Sequence, residues 1–318
     1  MALIEMLAIQ AGQMFLVLAL APLATGIVRS VKARLMRRKG PSLVQPYRDL
    51  VRLMRKEATL AHNASSLFRM APYVVFALTW IAAALVPTFA AGLVFSWSAD
   101  LIAIVALLGS ARFFLALAGM EVGTAFGGIG SSREVMIAAL AEPALIMIAF
   151  TVALIAGSTQ LSSVAAYMAG SGVGLRASLA LALVALVIVA LAENARMPID
   201  NPATHLELTM VHEAMLLEYS GRHLALMEWA ASLKLLLYVS LIACVFFPWG
   251  IAPAEDGREA LVVGGVAYLG KVMAACVALG IFEMTIAKLR VFRAPDFIGA
   301  ALMLGLLAVL LRFVSTGL

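Results

Sequence analysis

The residues most able to do chemistry are ionisable side chains set in apolar runs. Arg112, Glu142, Lys271 and Arg312 lie inside such runs, with Glu193, Lys234 and Glu283 close to their ends. A lone charge in the middle of a bilayer costs about 2.5–3.5 kcal/mol on insertion scales, so these groups are expected to face partners or hydrated space. Glu142 follows Glu134 by two helical turns and precedes Pro143, where the backbone ladder is interrupted. A carboxyl so placed is suited to taking up and releasing protons. A structural ion pair between Glu142 and Lys234 or Lys271 is the competing reading, and for Arg312 the competing reading is snorkelling. A second concentration of charge spans about 194–228, with Glu193 before it. It holds Arg196, Asp200, His205, Glu207, His212, Glu213, Glu218, Arg222, His223 and Glu228 among apolar residues. Long connections of this kind are usually functional. His205 and His212 are expected, from residue type alone, to titrate near neutrality.

Other chemistries find little support. Cys244 and Cys276 are isolated within apolar runs, and two such thiols do not match the spacing of an iron–sulfur or zinc site. The glycines of Phe126-Gly127-Gly128-Ile129-Gly130 have neither the following Lys-Ser/Thr nor the preceding strand of a phosphate loop. The first apolar run is long enough to span and has no basic lead-in, so it does not read as a cleavable leader.

The elements that must position these residues are membrane helices. The chain of 318 residues is 64% apolar and only 13% charged, with a mean hydropathy of +1.02. That composition selects an all-α integral membrane protein, read as one membrane domain over residues 1–318. Eight apolar runs, at about 3–28, 72–95, 100–120, 135–157, 175–193, 229–251, 261–283 and 297–316, reach or approach the ~20 residues that cross a bilayer. The odd connections hold seventeen Lys/Arg and the even ones two, Arg176 and Arg258. The positive-inside rule then places the odd connections in the cytoplasm and both termini outside. The net charge of +5 is thus a topology signal and implies no nucleic-acid partner.

The first connection, about 29–71, contains an amphipathic helix. From Val44, the residues Tyr47, Leu50, Val51 and Met54 form an apolar stripe, while Arg48, Asp49, Arg52, Arg55 and Lys56 take the other face. Such a helix lies in the membrane interface. With Arg37, Arg38 and Lys39 it offers a surface for lipid headgroups, for a docked cytoplasmic partner, or for both.

Several of these stretches carry a family resemblance. Arg38-Lys39-Gly40-Pro41, Gln45-Pro46-Tyr47-Arg48-Asp49-Leu50 and Lys56-Glu57 resemble the first cytoplasmic loop of the respiratory complex I subunit 1 family. Glu193-Asn194-Ala195-Arg196-Met197-Pro198-Ile199-Asp200, Glu207-Leu208 and Glu218-Tyr219-Ser220-Gly221 are similar to its long loop. Arg133 and Glu142 match its Arg-to-Glu spacing. Phe282-Glu283-Met284-Thr285-Ile286-Ala287-Lys288-Leu289-Arg290 resembles the hydrogenase branch, the anchors of hydrogenase-4 and formate hydrogenlyase, more than the quinone-reducing branch. His205 stands where an acidic residue is usual, and about three residues are added before Glu218.

The resemblance implies a coupling subunit that holds no cofactor itself. Its implied partners are an iron–sulfur small subunit, a nickel–iron hydrogenase-like large subunit and antiporter-like membrane subunits, in a prokaryotic cytoplasmic membrane. The relay would comprise Glu134, Glu142, Glu193, Asp200, Glu207, Glu213, Glu218, Glu283, Lys234 and Lys271. Arg133, Arg196, Pro198 and Tyr219 would shape the loop. Arg37, Arg38, Lys39, Arg48, Asp49 and Arg52 would dock the partner. The alternative implied by the same family is a quinone cavity roofed by the long loop.

Overall fold

A computed structural model describes residues 3–62, 64–170, 176–196, 211–253, 257–286 and 294–315. Among these, seven helices are long and apolar enough to cross a membrane: α1 (Leu3–Leu35), α3 (Ser66–Leu85), α4 (Leu101–Glu121), α5 (Ala125–Ala156), α9 (Gly221–Phe246), α10 (Arg258–Thr285) and α11 (Ala294–Ser315). An eighth, α7 (Ala177–Glu193), is apolar but only 17 residues long, close to the shortest span. The chain is an all-α integral membrane protein. Shorter helices are α2 (Gln45–Met54), α6 (Leu161–Ala169) and α8 (His212–Leu216). The strands β1 (Ala90–Ala91) and β2 (Ala252–Pro253) pair in parallel.

Local chemistry sets the helix ends, and several differ from the sequence expectation. α3 begins six residues before the expected 72, because the Ser65 hydroxyl accepts from the Leu67 amide. It stops ten residues before 95, where Val86 is extended ahead of Pro87. Thr124 caps α5 by accepting from the Gly127 amide, which shortens the third connection to three residues and puts Arg133 inside a helix. The run of glycines at 127–130 is therefore helical and not a loop. α5 continues through Pro143 and ends on Gly157 at φ +74°. At 32 residues it is about 48 Å long, more than the hydrocarbon core requires. α9 starts at Gly221, so the connection expected to reach 228 ends at Ser220, and His223 and Glu228 belong to α9.

Contacts between connections confirm the up-and-down order. At one end β1 pairs with β2, and Asp100 bridges Gln160, which unites the second, fourth and sixth connections. At the other end the Thr59 amide donates to Ser220 Oγ at 2.8 Å, and Ser220 Oγ donates to the Thr59 carbonyl at 2.9 Å, joining the first connection to the fifth.

The core runs along the whole bundle and is built largely of Ala, Val, Leu and Ile from α1, α4, α5, α7, α9 and α11. Small residues let the helices approach closely. A Cβ at Gly280 would lie 2.8 Å from Val31 Cγ1 on α1, and one at Gly305 would lie 3.2 Å from Met147 Cβ on α5. α10 rests mainly on α1 and leaves Val262, Val263 and Val266 open to lipid or another subunit. α2 buries Pro46 and Leu50 and sends the Tyr47 hydroxyl to the Ala19 carbonyl. Only half of its expected apolar stripe turns inward, since Val51 and Met54 remain exposed.

Candidate functional site: a buried ionic cluster beside a cavity

Arg112 stands at the centre of the site. It lies midway along α4, with its side chain only 6% exposed. Three carboxylates converge on it: Glu134 at 3.6 Å and Glu142 at 3.3 Å, both from α5, and Glu193 at the last residue of α7. Lys234 from α9 reaches Glu193 at 3.6 Å. Among the described residues, three acids thus share two bases. The formal excess of one negative charge in a low-dielectric interior is most simply relieved by binding a proton.

Helix geometry explains the convergence. Arg112 and Ala116 lie one turn apart on α4, and the Ser131 hydroxyl of α5 donates to the Ala116 carbonyl at 2.9 Å. The same α5 face carries Glu134 one turn further on, and Glu142 two turns beyond that. Gly109 allows Glu142 to pack close on α4, because a Cβ there would stand 3.2 Å from Glu142 Oε1. Glu193 is held by a tight helix end. The Arg196 amide donates to the Leu191 carbonyl and the Ala195 amide to the Ala192 carbonyl, with Ala195 at φ +50°. Glu193 and Glu134 are enclosed, whereas Glu142 is 39% exposed at the flank of the bundle.

The short helix α8 sits directly on this cluster in a seat made of glycines. A Cβ at Gly130 would meet Met215 Cγ and the Val211 carbonyl, both at 2.9 Å. One at Gly119 would meet Ser131 Oγ at 2.5 Å and Met215 Cγ at 3.1 Å. Gly127 likewise abuts the Gly119 carbonyl. The glycine run without a phosphate-binding signature therefore serves close packing. α8 is pinned further by Tyr219, which stacks on Phe68 at 4.3 Å and donates to the Phe68 carbonyl at 3.2 Å.

A cavity of about 530 Å³ opens between α1, α2, α8 and α9. Its ionisable lining includes Arg29, Asp49, Arg196, His212, Glu213 and Glu228. His212 also lines a smaller pocket with Arg112, Glu134 and Lys234, so its ring stands between the cavity and the ionic cluster. Burial, with Lys234 and Arg112 nearby, pushes the His212 imidazolium down to about 4 despite the opposing pull of Glu134 and Glu193.

The other expected residues are distributed as follows. Glu213 lines the cavity, while Glu218 lies half-buried in the turn after α8. Glu283 forms a separate set with Lys32 at 2.5 Å and Arg196 at 3.4 Å. Arg133 is half-buried on α5. Lys271 lies away from the cluster, donating to the Trp249 carbonyl, with its Nζ 6.0 Å from the centre of that ring. Neither Lys271 nor Lys234 forms the pair with Glu142 that the sequence allowed; Arg112 does, because α4 rather than α10 packs on that face of α5. Arg37, Arg38, Lys39, Arg48 and Arg52 are exposed on one surface. Asp49 differs from the expectation by turning toward the cavity, held by Gln45 at 3.0 Å and Arg52 at 3.3 Å. Pro198, Asp200, His205, Glu207, Lys288 and Arg290 lie outside the described residues.

Sequence reasoning noted Arg112 but did not place it among the relay residues. An arginine in the middle of a 21-residue apolar helix, whose other charge is Glu121 at its very end, is the available signal. It also missed Glu121, which accepts from the Ser65 amide at 2.8 Å and ties α4 to the start of α3.

The fold and site define a multi-pass membrane protein whose interior holds carboxylates sharing one arginine beside a cavity. The NADH dehydrogenase family profile matches residues 8–314, and the chain belongs to that family. Hydrogenase-4 component C of Escherichia coli (strain K12) is 35% identical over 277 residues, which cover 87% of this chain and 86% of the relative. Formate hydrogenlyase subunit 4 of the same organism is 32% identical over 283 residues, 89% and 91% of the two chains. NADH-ubiquinone oxidoreductase chain 1 of Arabidopsis thaliana is 31% identical over 253 residues, 77% and 73%. A chain of the membrane-bound sulfane sulfur reductase, an archaeal respiratory membrane complex, shares the fold with a TM-score of 0.76 over 97% of this chain and 98% of that one, at 19% identity.

Proposed function

We propose that this chain is the membrane anchor and coupling subunit of a redox-driven, proton-translocating complex of the hydrogenase-4 or formate hydrogenlyase type. The observation that carries the reading is the sharing of Arg112 by three carboxylates beside a cavity on the basic side of the bundle. The basic surface of Arg37, Arg38, Lys39, Arg48 and Arg52 faces the cytoplasm and both termini lie outside, a reading supported by the asymmetry of seventeen cations against two. A soluble arm with an iron–sulfur small subunit and a nickel–iron hydrogenase-like large subunit docks there, in the inner membrane of a prokaryote. Its metal centres supply the electron chemistry.

A change in charge near the cavity reaches the cluster by Coulomb interaction. At an effective dielectric near 20, one unit charge 4 Å away contributes about 4 kcal/mol, enough to move a proton between carboxylates. Glu213 senses the cavity and Glu193 and Glu134 hold the enclosed charge. Glu142, half-exposed at the flank, hands the proton to an antiporter-like neighbour, since a carboxylate left facing lipid would be costly.

Glu142→Gln tests this reading. In inside-out vesicles, reduced methyl viologen should still drive electron transfer through the assembled complex, while dye-detected proton uptake is lost. Unchanged pumping removes Glu142 from the relay. Mass spectrometry with metal analysis of the complex, purified through a tag on this chain, should find antiporter-like subunits with stoichiometric nickel and iron. Stoichiometric bound quinone would instead favour a quinone-reducing complex, a reading that the 530 Å³ cavity supports on volume alone.

A further inference from the structure

The cavity and the ionic cluster are separate spaces, and among the described residues one titratable side chain borders both. His212 lines the cavity together with Asp49, Glu213 and Glu228, and it lines the pocket that holds Arg112, Glu134 and Lys234. Its immediate charged neighbours are Glu134 of α5, Lys234 of α9, Glu193 of α7 and Arg112 of α4. Among the described residues, the other one that lines both spaces is the apolar Ala231. Leu216 and Met215 of α8 are buried, and Ala230 and Met227 of α9 close the space behind them. Protons do not cross such a layer without a carrier group.

We infer that His212 is the proton-transfer residue between the cavity and the buried carboxylates. This rests on the proton-relay reading above, and it names the entry step that the reading leaves open. Cavity water gives a proton to one ring nitrogen, and the other ring nitrogen releases its proton to a Glu134 carboxylate oxygen. The ring returns to a neutral tautomer, the carboxylate becomes a carboxylic acid, and hydroxide remains in the cavity to be neutralised by bulk solvent. Turning the ring over resets the donor.

Three features suit His212 to this task. Burial keeps the ring neutral at physiological pH, so its imidazolium is transient and does not trap the proton. The ring lies on α8, whose position is fixed by backbone-close contacts with Gly119 and Gly130, so the transfer distance is held by packing and not by a flexible loop. Tyr219 anchors the other end of that segment to Phe68.

The test is chemical rescue in the assembled complex. His212→Ala should retain subunit composition and viologen-driven electron transfer, while proton uptake into inside-out vesicles falls by about a hundredfold. Millimolar imidazole, small enough for the cavity, should restore uptake, with a pH profile that follows the added base. Unchanged uptake in His212→Ala overturns the proposal. So does a loss that imidazole does not restore in an assembled complex, since that assigns His212 a structural role. If His212→Ala fails to assemble, His212→Gln decides. Normal uptake then overturns the inference, and electron transfer without uptake supports it. Glu142→Gln, measured beside it, separates the two levels. Loss in Glu142→Gln with full uptake in His212→Ala refutes only the entry step, while full uptake in both refutes the relay itself.

Discussion

Arg112→Gln is the perturbation that acts most directly on the site. Glu134 lies 3.6 Å and Glu142 3.3 Å from the guanidinium, and Glu193 is in contact with it. At an effective dielectric near 20, a pair at such a distance contributes about 5 kcal/mol of Coulomb energy, and less for Glu142, whose side chain is 39% exposed and screened. Losing one such pair changes the balance between a carboxylate and its acid on the order of a thousandfold. With Lys234 left to balance three carboxylates, the cluster should hold extra protons permanently. A cluster that is always loaded cannot cycle. Electron transfer should persist while proton uptake in inside-out vesicles disappears, and infrared difference spectra should show added protonated-carboxyl absorbance. Removing a buried partner also destabilises, commonly by about 3–5 kcal/mol, so assembly should weaken in the single variant. Arg112→Gln combined with Glu134→Gln removes one charge of each sign and should recover assembly without recovering pumping. Normal pumping in Arg112→Gln would refute the argument that shared neutralisation governs proton occupancy.

Two further outcomes follow from α8. Gly130→Ala places a methyl 2.9 Å from the Val211 carbonyl and Met215, so α8 should lift from its seat; hydrogen exchange over 211–217 should rise, with little change in α11. The docking of α8 should also weaken in acid. The unfolded-like histidine titrates near 6.5 and the docked one at about 4, so the undocked state binds more protons in that window and stability falls as pH drops from about 6.5 toward 4. For this half-buried ring the loss by pH 5 is at most about 2 kcal/mol. It should appear as faster exchange of the α8 amides at pH 5 after correction for the intrinsic rate, and it should be absent in His212→Gln.

The division between what the sequence and the tertiary structure decide follows from the range of the interactions involved. Membrane helices declare themselves locally, because a bilayer forces every spanning segment to be apolar and internally hydrogen-bonded. Alternating cations declare the expected topology, and capping residues such as Ser65 and Thr124 explain ends that apolar content alone misplaced. The amphipathic face around Leu50 was legible for the same reason, as was the membrane cost that singled out Glu142. Pairing was not legible. Glu134 and Glu142 of α5 and Glu193 of α7 share Arg112, and Lys234 of α9 joins Glu193; only packing shows this, and that Lys271 stands apart while Glu283 joins Lys32. The glycine run at 127–130 reads as an unclaimed motif until Gly127 packs on Gly119 and Gly130 seats α8. Charge in an apolar run tells where a partner is needed, because desolvation depends only on the bilayer; which partner answers is a Coulomb question of a few ångströms, and distances between helices far apart in the chain exist only in the folded bundle.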